Sequence, residues 1–500
     1  MRDDGGVARR HLIIATAIAA GLAVPVTRAT AAPIADPSPT TLPVMTGAAV
    51  TPRGVPATVA PRNPFLAFAP DSNLHDDTWM TDAIARPGPA GRLLQATSFA
   101  EPLSLCGSLS FDSHRRIVSV CPSRATATEV RVIDPSTGAI VSTYPLPGGP
   151  NVPGPGQFQN FTGGGYFFLD AHDRVWTVTK TNRLLVIGEQ SASGRLTLRH
   201  DYDLSRVVTG DERITSALPD FEGNVWFVTK QDGKVGVLNS RTGHVAVREL
   251  GEEIENSFAV DRDAVYIVSD KRMYRFSMRH GAPHVDWRVT YANSGVAKPG
   301  QVDAGSGTTP TVMSDGYVAI TDNADPMDVV VYRTARHLHG QRRVVCQVPV
   351  FGSGASATEN SLITAGRSLF VENNYGYQDP FGATAGAVTQ PGFARVDVNR
   401  SGTGCRLVWT NHDVTAPTVV AKLSTTSGLI YTYERPASPT GEQPWFWAAI
   451  DARTGRTVWR RYAGSGLLFN NNYAGIAIGP DDALYLGVIG GIVRLADGPR

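Results

Sequence analysis

Glu255-Asn256-Ser257 and Glu359-Asn360-Ser361 are two copies of one polar triplet, each leading into a short apolar run. Glutamate is a poor loop capper, so its recurrence in this setting points to ligand chemistry. Asp322-Asn323 adds an acidic-amide pair at the end of another apolar run. Carboxylate and amide oxygens are hard ligands, and roughly six to eight of them satisfy a Ca²⁺ ion. Glu255, Asn256, Asp322, Asn323, Glu359 and Asn360 are therefore the candidate metal ligands. The competing reading is that these side chains satisfy loop backbone groups, as Asn and Asp commonly do.

Lys180, Lys230 and Lys271 follow successive apolar runs at equivalent places and suit an anionic ligand. Asn373, Glu434 and Arg435 stand at the corresponding points further along and complete the candidate ligand-binding set. A lysine at a loop edge is otherwise simply solvated. Of the 11 histidines, His412 beside Asp413 is the candidate general base, because imidazole titrates near neutral pH. A plain surface histidine is the alternative. His75-Asp76-Asp77-Thr78-Trp79 lies outside any periodic pattern. It reads either as the cap of a short helix opening at Trp79 or as a strap across a binding site. No nucleophile-elbow, zinc-protease, phosphate-loop or dinucleotide motif occurs. A formal net charge of +1 gives no electrostatic ground for nucleic acid or an anionic membrane as partner. A monomer binding a small molecule is expected.

A repeat must bring these residues together. With 51 glycines and 34 prolines the chain is rich in turns, and it lacks a long amphipathic helix pattern. A first turn recurs at Asp112, Asp170, Asp220, Asp261, Ser314, Thr364, Ser424 and Pro480, roughly 40 to 60 residues apart. A second recurs as Asp134-Pro-Ser-Thr-Gly138, Asn239-Ser-Arg-Thr-Gly243, Asn399-Arg-Ser-Gly-Thr-Gly404 and Asp451-Ala-Arg-Thr-Gly455. Each unit makes a four-stranded antiparallel sheet that cannot bury both faces alone. Radial stacking into an eight-bladed β-propeller solves that problem and protects the edges; stacked β-sandwiches are the alternative. Residues 473–495 hold only three strands, so a strand near Arg92–Phe99 is expected to close the ring. Both kinds of turn lie on one face. The second-to-third loops and the blade-to-blade connections, which carry the polar candidates, lie on the other.

The propeller is assigned to residues 91–500, preceded by an export signal over 1–31, a disordered Pro/Ala/Thr-rich leader over 32–62 and a connecting segment over 63–90. Arg9-Arg10, an apolar run from Leu12 to Val26 and Ala29-Thr-Ala31 read as a twin-arginine-like or ordinary secretory signal, too short for stable membrane insertion. Export permits disulfides. Four cysteines allow three pairings; Cys106 and Cys121 flank one hairpin, which favours Cys106–Cys121 with Cys346–Cys405.

Asp451-Ala-Arg-Thr-Gly-Arg-Thr-Val-Trp459 resembles the turn of the quinoprotein-like eight-bladed propellers, and Glu222-Gly-Asn-Val-Trp-Phe-Val228 is similar to repeats of virginiamycin B lyase and gluconolactonase-type propellers. The first resemblance implies a quinone (PQQ) beside two adjacent cysteines and Ca²⁺. This chain has no adjacent cysteines, so PQQ is not expected. Turn motifs support a fold and leave function to the site. The expected functions are Ca²⁺-assisted hydrolysis or elimination on a small molecule, quinone-linked oxidoreduction, or a non-catalytic binding scaffold.

Overall fold

The computed structural model describes residues 30–37, 40–101, 104–123, 126–150, 164–190, 194–384 and 386–499. All of the expected export signal but its last two residues lies outside them. Eight sheets, each with four antiparallel strands at its heart, form a propeller ring. Their innermost strands, Ser110–Phe111, Phe167–Leu169, Ile214–Pro219, Ala259–Asp261, Thr311–Met313, Ile363–Ala365, Lys422–Ser424 and Ile476–Ile478, number blades 1 to 8. Gln95–Ala100 pairs antiparallel with Gly491–Ala496 as the outermost strand of blade 8, so the ring closes by the expected clasp.

The recurring turns have a simple cause. Asp220 Oδ1 accepts the backbone N–H groups of Glu222 and Asn224, both at 2.9 Å, while Oδ2 accepts the Trp226 indole N–H at 3.1 Å. Asp170 repeats the pattern with His172, Arg174 and Trp176. One aspartate thus shapes the turn and fixes the tryptophan that packs between blades. In the second turn, Asp451 Oδ1 accepts the Arg453 N–H at 2.8 Å and Gly455 takes φ 74°. A Cβ on Gly455 would lie 2.6 Å from the Trp409 ring of blade 6, so glycine there serves both the turn and blade packing. Both expected disulfides are present; Cys346–Cys405 ties the outer strands of blades 5 and 6.

The leader departs from expectation. Residues 40–62 are not disordered but form a strap over the turn face. Met45–Gly47 adds an edge strand to blade 7. Arg53 and Val55 donate N–H bonds to Ser427 and Thr425, and the Asn63 amide reaches Pro219 of blade 3 at 2.9 Å. The strap recovers in backbone hydrogen bonds what its Pro/Ala/Thr composition denies it in apolar burial. Ser72–Ile84 then enters the channel. Apart from the ring, the described residues hold one five-residue helix, Pro380–Thr384, and a 3₁₀ turn at Leu467–Phe469. None of their helices is long and apolar enough to cross a membrane.

Candidate functional site

An innermost strand exposes one edge of unpaired backbone groups to the channel. Ser72–Ile84 satisfies these groups as a plug. Its carbonyls at Ser72, Thr78, Trp79, Thr81 and Asp82 accept N–H bonds of 2.7–2.9 Å from Leu169, Val260, Val312, Thr364 and Leu423, visiting blades 2, 4, 5, 6 and 7 in order. Ala83–Ile84 finishes parallel to Leu423–Ser424. The short helix expected at Trp79 is absent, because these carbonyls serve the blades instead of one another. Asp76, Met80 and Asp82 adopt φ of 75°, 56° and 52°. Left-handed non-glycines persist where the surroundings over-determine them, which is common at functional sites.

The plug carries His75 and Asp82 into a buried polar group. His75 Nδ1 lies 3.1 Å from Asp82 Oδ2, and Ser361 Oγ lies 2.6 Å from the same oxygen and 2.9 Å from Nδ1. Lys422, fully buried on the inner strand of blade 7, pairs with Asp82, with Asp76 at 3.0 Å and with the Leu74 carbonyl at 2.5 Å. Burial alone would raise the Asp82 pKa, but Lys422 and His75 outweigh it and hold the carboxyl below its usual value. An ionised Asp82 only accepts, so the proton of neutral His75 sits on Nδ1 and Nε2 keeps its lone pair. Nε2 has Thr309 Oγ1 at 3.4 Å, and His75 and Thr309 both line a cavity of about 80 Å³ on the loop face of the propeller. Tyr166, Asn256, Glu359 and Asn360 line this cavity together with the apolar Leu105, Val120, Pro122 and Val420.

The sequence candidates divide. Asn256, Glu359 and Asn360 line the cavity. Asn256 accepts from the Tyr166 hydroxyl at 3.4 Å; the Asn360 amide donates to Glu372 and to Val419 O. Glu255 lies behind them in an acidic group where Glu253, Glu255 and Asp303 bring one oxygen each within 4.8 Å of one another. Lys230 pairs with Glu255 inside this group. Burial opposes the Lys230 charge, yet Glu255, Glu253 and Asp303 raise its pKa on balance. Burial, then the neighbouring Glu255 and Glu253, push Asp303 up to about 7. Glu359 rises well above its usual value through burial and the nearby Asp303 and Glu255.

The remaining candidates lie away from this cavity. Asp322 accepts the Ala324 and Asp328 N–H groups, the Asn323 amide donates to Asn293 and Val296, and Asn373 accepts from Ala357 and Tyr375. Glu434 pairs with Arg460 at 2.5 Å, and Arg435 donates to Gln443 and Ala387. Lys180 packs over Gly148, Lys271 extends into solvent beside Asp270, and His412 and Asp413 are exposed. None of these lines the cavity. The six proposed metal ligands therefore do not converge. Of the six only Glu255 belongs to the acidic group of Glu253, Glu255 and Asp303, where it pairs with the Lys230 ammonium.

Asp82, Lys422, Tyr166 and Asp303 were not among the sequence candidates, and His75 was read only as part of a segment that could cap a helix or strap across a site. The one available signal was charge in the wrong place: Lys422 interrupts an innermost-strand run, Val419-Val-Ala-Lys-Leu423, where a buried cation requires a carboxylate partner.

No family model matches the chain. It is 25% identical over 484 residues to an uncharacterized protein of Archaeoglobus fulgidus, covering 87% of this chain and 90% of the relative. Solved structures similar to it include a streptogramin B lyase (10% identity, 85% of this chain and 100% of that one, TM-score 0.41). Virginiamycin B lyase from Staphylococcus aureus is similar at 11% identity over 66% of this chain and 93% of that one, TM-score 0.40. Chaetomium thermophilum Sqt1, bound to the N-terminus of ribosomal protein L10, is similar at 12% identity over 89% of this chain and 100% of that one, TM-score 0.46. At these values no activity carries across, and the site is read from its own residues.

Two predictions follow from the charges. Lys230→Ala leaves buried Glu255 without its counter-charge and is expected to cost about 3–5 kcal/mol at pH 7 in urea unfolding; a loss under about 1 kcal/mol would show the pair is dispensable. The second concerns pH. Burial holds Glu372 at about 8 despite the Asn374 and Asn360 amides, and holds Asp322 at about 7. Both folded pKa values exceed the unfolded ones, so the native state keeps protons that unfolding releases. Stability is full below about pH 4 for these groups and falls as pH rises toward 8, by about 1.4 kcal/mol per pH unit for each group inside its window. Urea midpoints between pH 5 and 8.5 are expected to decline; a flat or rising series contradicts the assignment.

Proposed function

We propose that the protein binds one end of a small organic molecule in the loop-face cavity and uses His75 Nε2 as a general base, in a hydrolase or lyase reaction. The observation that carries this reading is the His75–Asp82 pair in the cavity wall, with Nδ1 fixed by Asp82 and Nε2 left to act as the base. Asp82 sets the tautomer and stabilises the imidazolium that forms when Nε2 takes a proton. Lys422 keeps Asp82 ionised through that step. The Tyr166 hydroxyl, which donates to Asn256 Oδ1, and the Thr309 hydroxyl beside Nε2 line the same cavity, and a substrate oxygen would take the place of those partners to accept from them. A cavity of about 80 Å³ admits a few heavy atoms, so the rest of the substrate extends toward the loops. No step is assigned to a quinone or to Ca²⁺. Export and a monomeric state belong to the same proposal, and the disulfides favour an oxidising compartment.

The test is a fragment screen of esters, lactones and small carbonyl compounds by ¹⁵N NMR, following the His75 ring nitrogens. Binders are expected to move Nε2 more than Nδ1. Binders that move only exposed histidines such as His412 would overturn the reading.

A further inference from the structure

Beneath the plug, on the turn face, lies a second cavity of about 410 Å³. Almost all of its lining comes from the strap and plug: Val59, Leu66, Phe68, Ile84 and Ala85 form apolar walls. Its volume falls in the range of roughly 300–1,000 Å³ that small-molecule sites occupy, unlike the narrow channel cavity. Phe68 is 67% exposed and Val59 77% exposed, so among the described residues the walls present apolar surface that is largely uncovered. The floor is different. Asp76, Asp77 and Ser72 close it, and Asp76 is only 5% exposed.

The charge around this floor is unbalanced. Asp76, Asp77 and Asp82 are all buried, and Lys422 is the one ammonium that pairs with Asp76 and Asp82. Asp77 spends its oxygens on Thr81 and the Trp79 N–H. On the rim, Arg86 is neutralised by Asp71 at 2.6 Å, and Arg62 stacks on Phe68 with its guanidinium 4.4 Å from the ring centroid. A buried carboxylate that shares its only cation with a second carboxylate takes up either a proton or another cation.

We propose that this basin is a second small-molecule site, specific for an apolar molecule bearing a protonated amine, with the ammonium received by Asp76 and the apolar body by Val59, Leu66 and Phe68. It goes beyond the channel function and does not depend on it. Because Lys422 bridges Asp76 and Asp82, a cation at Asp76 also frees Lys422 to pair more fully with Asp82, linking the basin to the His75 side of the plug.

The test uses the whole folded chain and three matched probes in calorimetry at pH 7: 2-phenylethylamine, 2-phenylethanol and phenylacetate. The amine is expected to bind at least tenfold more tightly than the alcohol, and phenylacetate not to bind up to about 10 mM. Asp76→Asn is expected to remove the tenfold preference. Ala85→Trp, at an exposed rim position, is expected to abolish binding with the melting temperature unchanged; should it melt early, Val59→Trp on the facing rim replaces it. Equal binding of amine and alcohol, preference for phenylacetate, or amine binding that survives both rim substitutions would overturn the proposal.

Discussion

His75→Asn is expected to cut turnover by a factor of about 10² to 10⁴ while leaving the propeller folded. Asparagine keeps the polar contact with Asp82 but has no basic nitrogen to face the cavity. Asp82→Asn is expected to fall nearly as far. An amide in place of the carboxylate can donate to Nδ1, so the ring proton moves to Nε2 and the base is lost with His75 still present. Ser361→Ala removes one hydrogen bond to Asp82 and is expected to cost less than about tenfold. The order of these effects separates a base from a merely structural histidine. A packing role predicts losses that follow melting temperature across the three variants, whereas a general base predicts losses at unchanged melting temperature and a changed pH–rate profile. The measurement is initial rates on compounds that the wild type turns over among the esters, lactones and carbonyl compounds that bind the channel. Retention of more than about a third of wild-type rate in His75→Asn would sink the assignment.

The ring was legible in the sequence because its signal is local. Asp220 and Asp451 each shape a turn within their own few residues, and repetition turns eight weak signals into a fold. The closing strand was legible by subtraction, since blade 8 lacked one. The site was less so. Asp322, Asn323 and Asn373 have the right residue types on the right face, yet Asp322 folds back on its own loop and the two asparagines hold neighbouring connections, which a sequence does not distinguish from pointing inward. Asn256, Glu359 and Asn360, read from the triplets as metal ligands, line the cavity because they sit immediately before innermost strands. Asp82 escaped, and His75 was caught only as part of a cap or strap, because their placement depends on the plug. A non-repetitive segment has no register until its carbonyls meet the inner strands of five different blades. His412, judged by its neighbour Asp413, shows the converse: adjacency in sequence on a blade connection says nothing about depth in the channel.

Lys422→Met is expected to be the most destabilising single change near the site, by about 3–5 kcal/mol or more. Lys422 is fully buried and faces two carboxylates and one carbonyl, so methionine fills its volume but leaves Asp76 and Asp82 without their cation. The cost lies chiefly in those abandoned charges. Adding Asp76→Asn and Asp82→Asn to Lys422→Met is therefore expected to restore most of the stability, since neutral groups of similar shape replace a buried ion cluster at little net cost. Acid should act in the same direction. In Lys422→Met the two carboxyls have folded pKa values raised far above their unfolded ones, so protonation relieves the penalty and the deficit against wild type shrinks as pH falls from 7 to 5. Unfolding in urea measures both effects. The plug should also loosen first, because Lys422 holds Leu74, Asp76 and Asp82 to blade 7, and limited proteolysis within residues 57–72 is expected to precede cleavage of the ring. If Lys422→Met melts with wild type, or if the two asparagine changes fail to rescue it, the plug is held by its backbone bonds to the blades, and the lysine is not what keeps Asp82 charged beside His75.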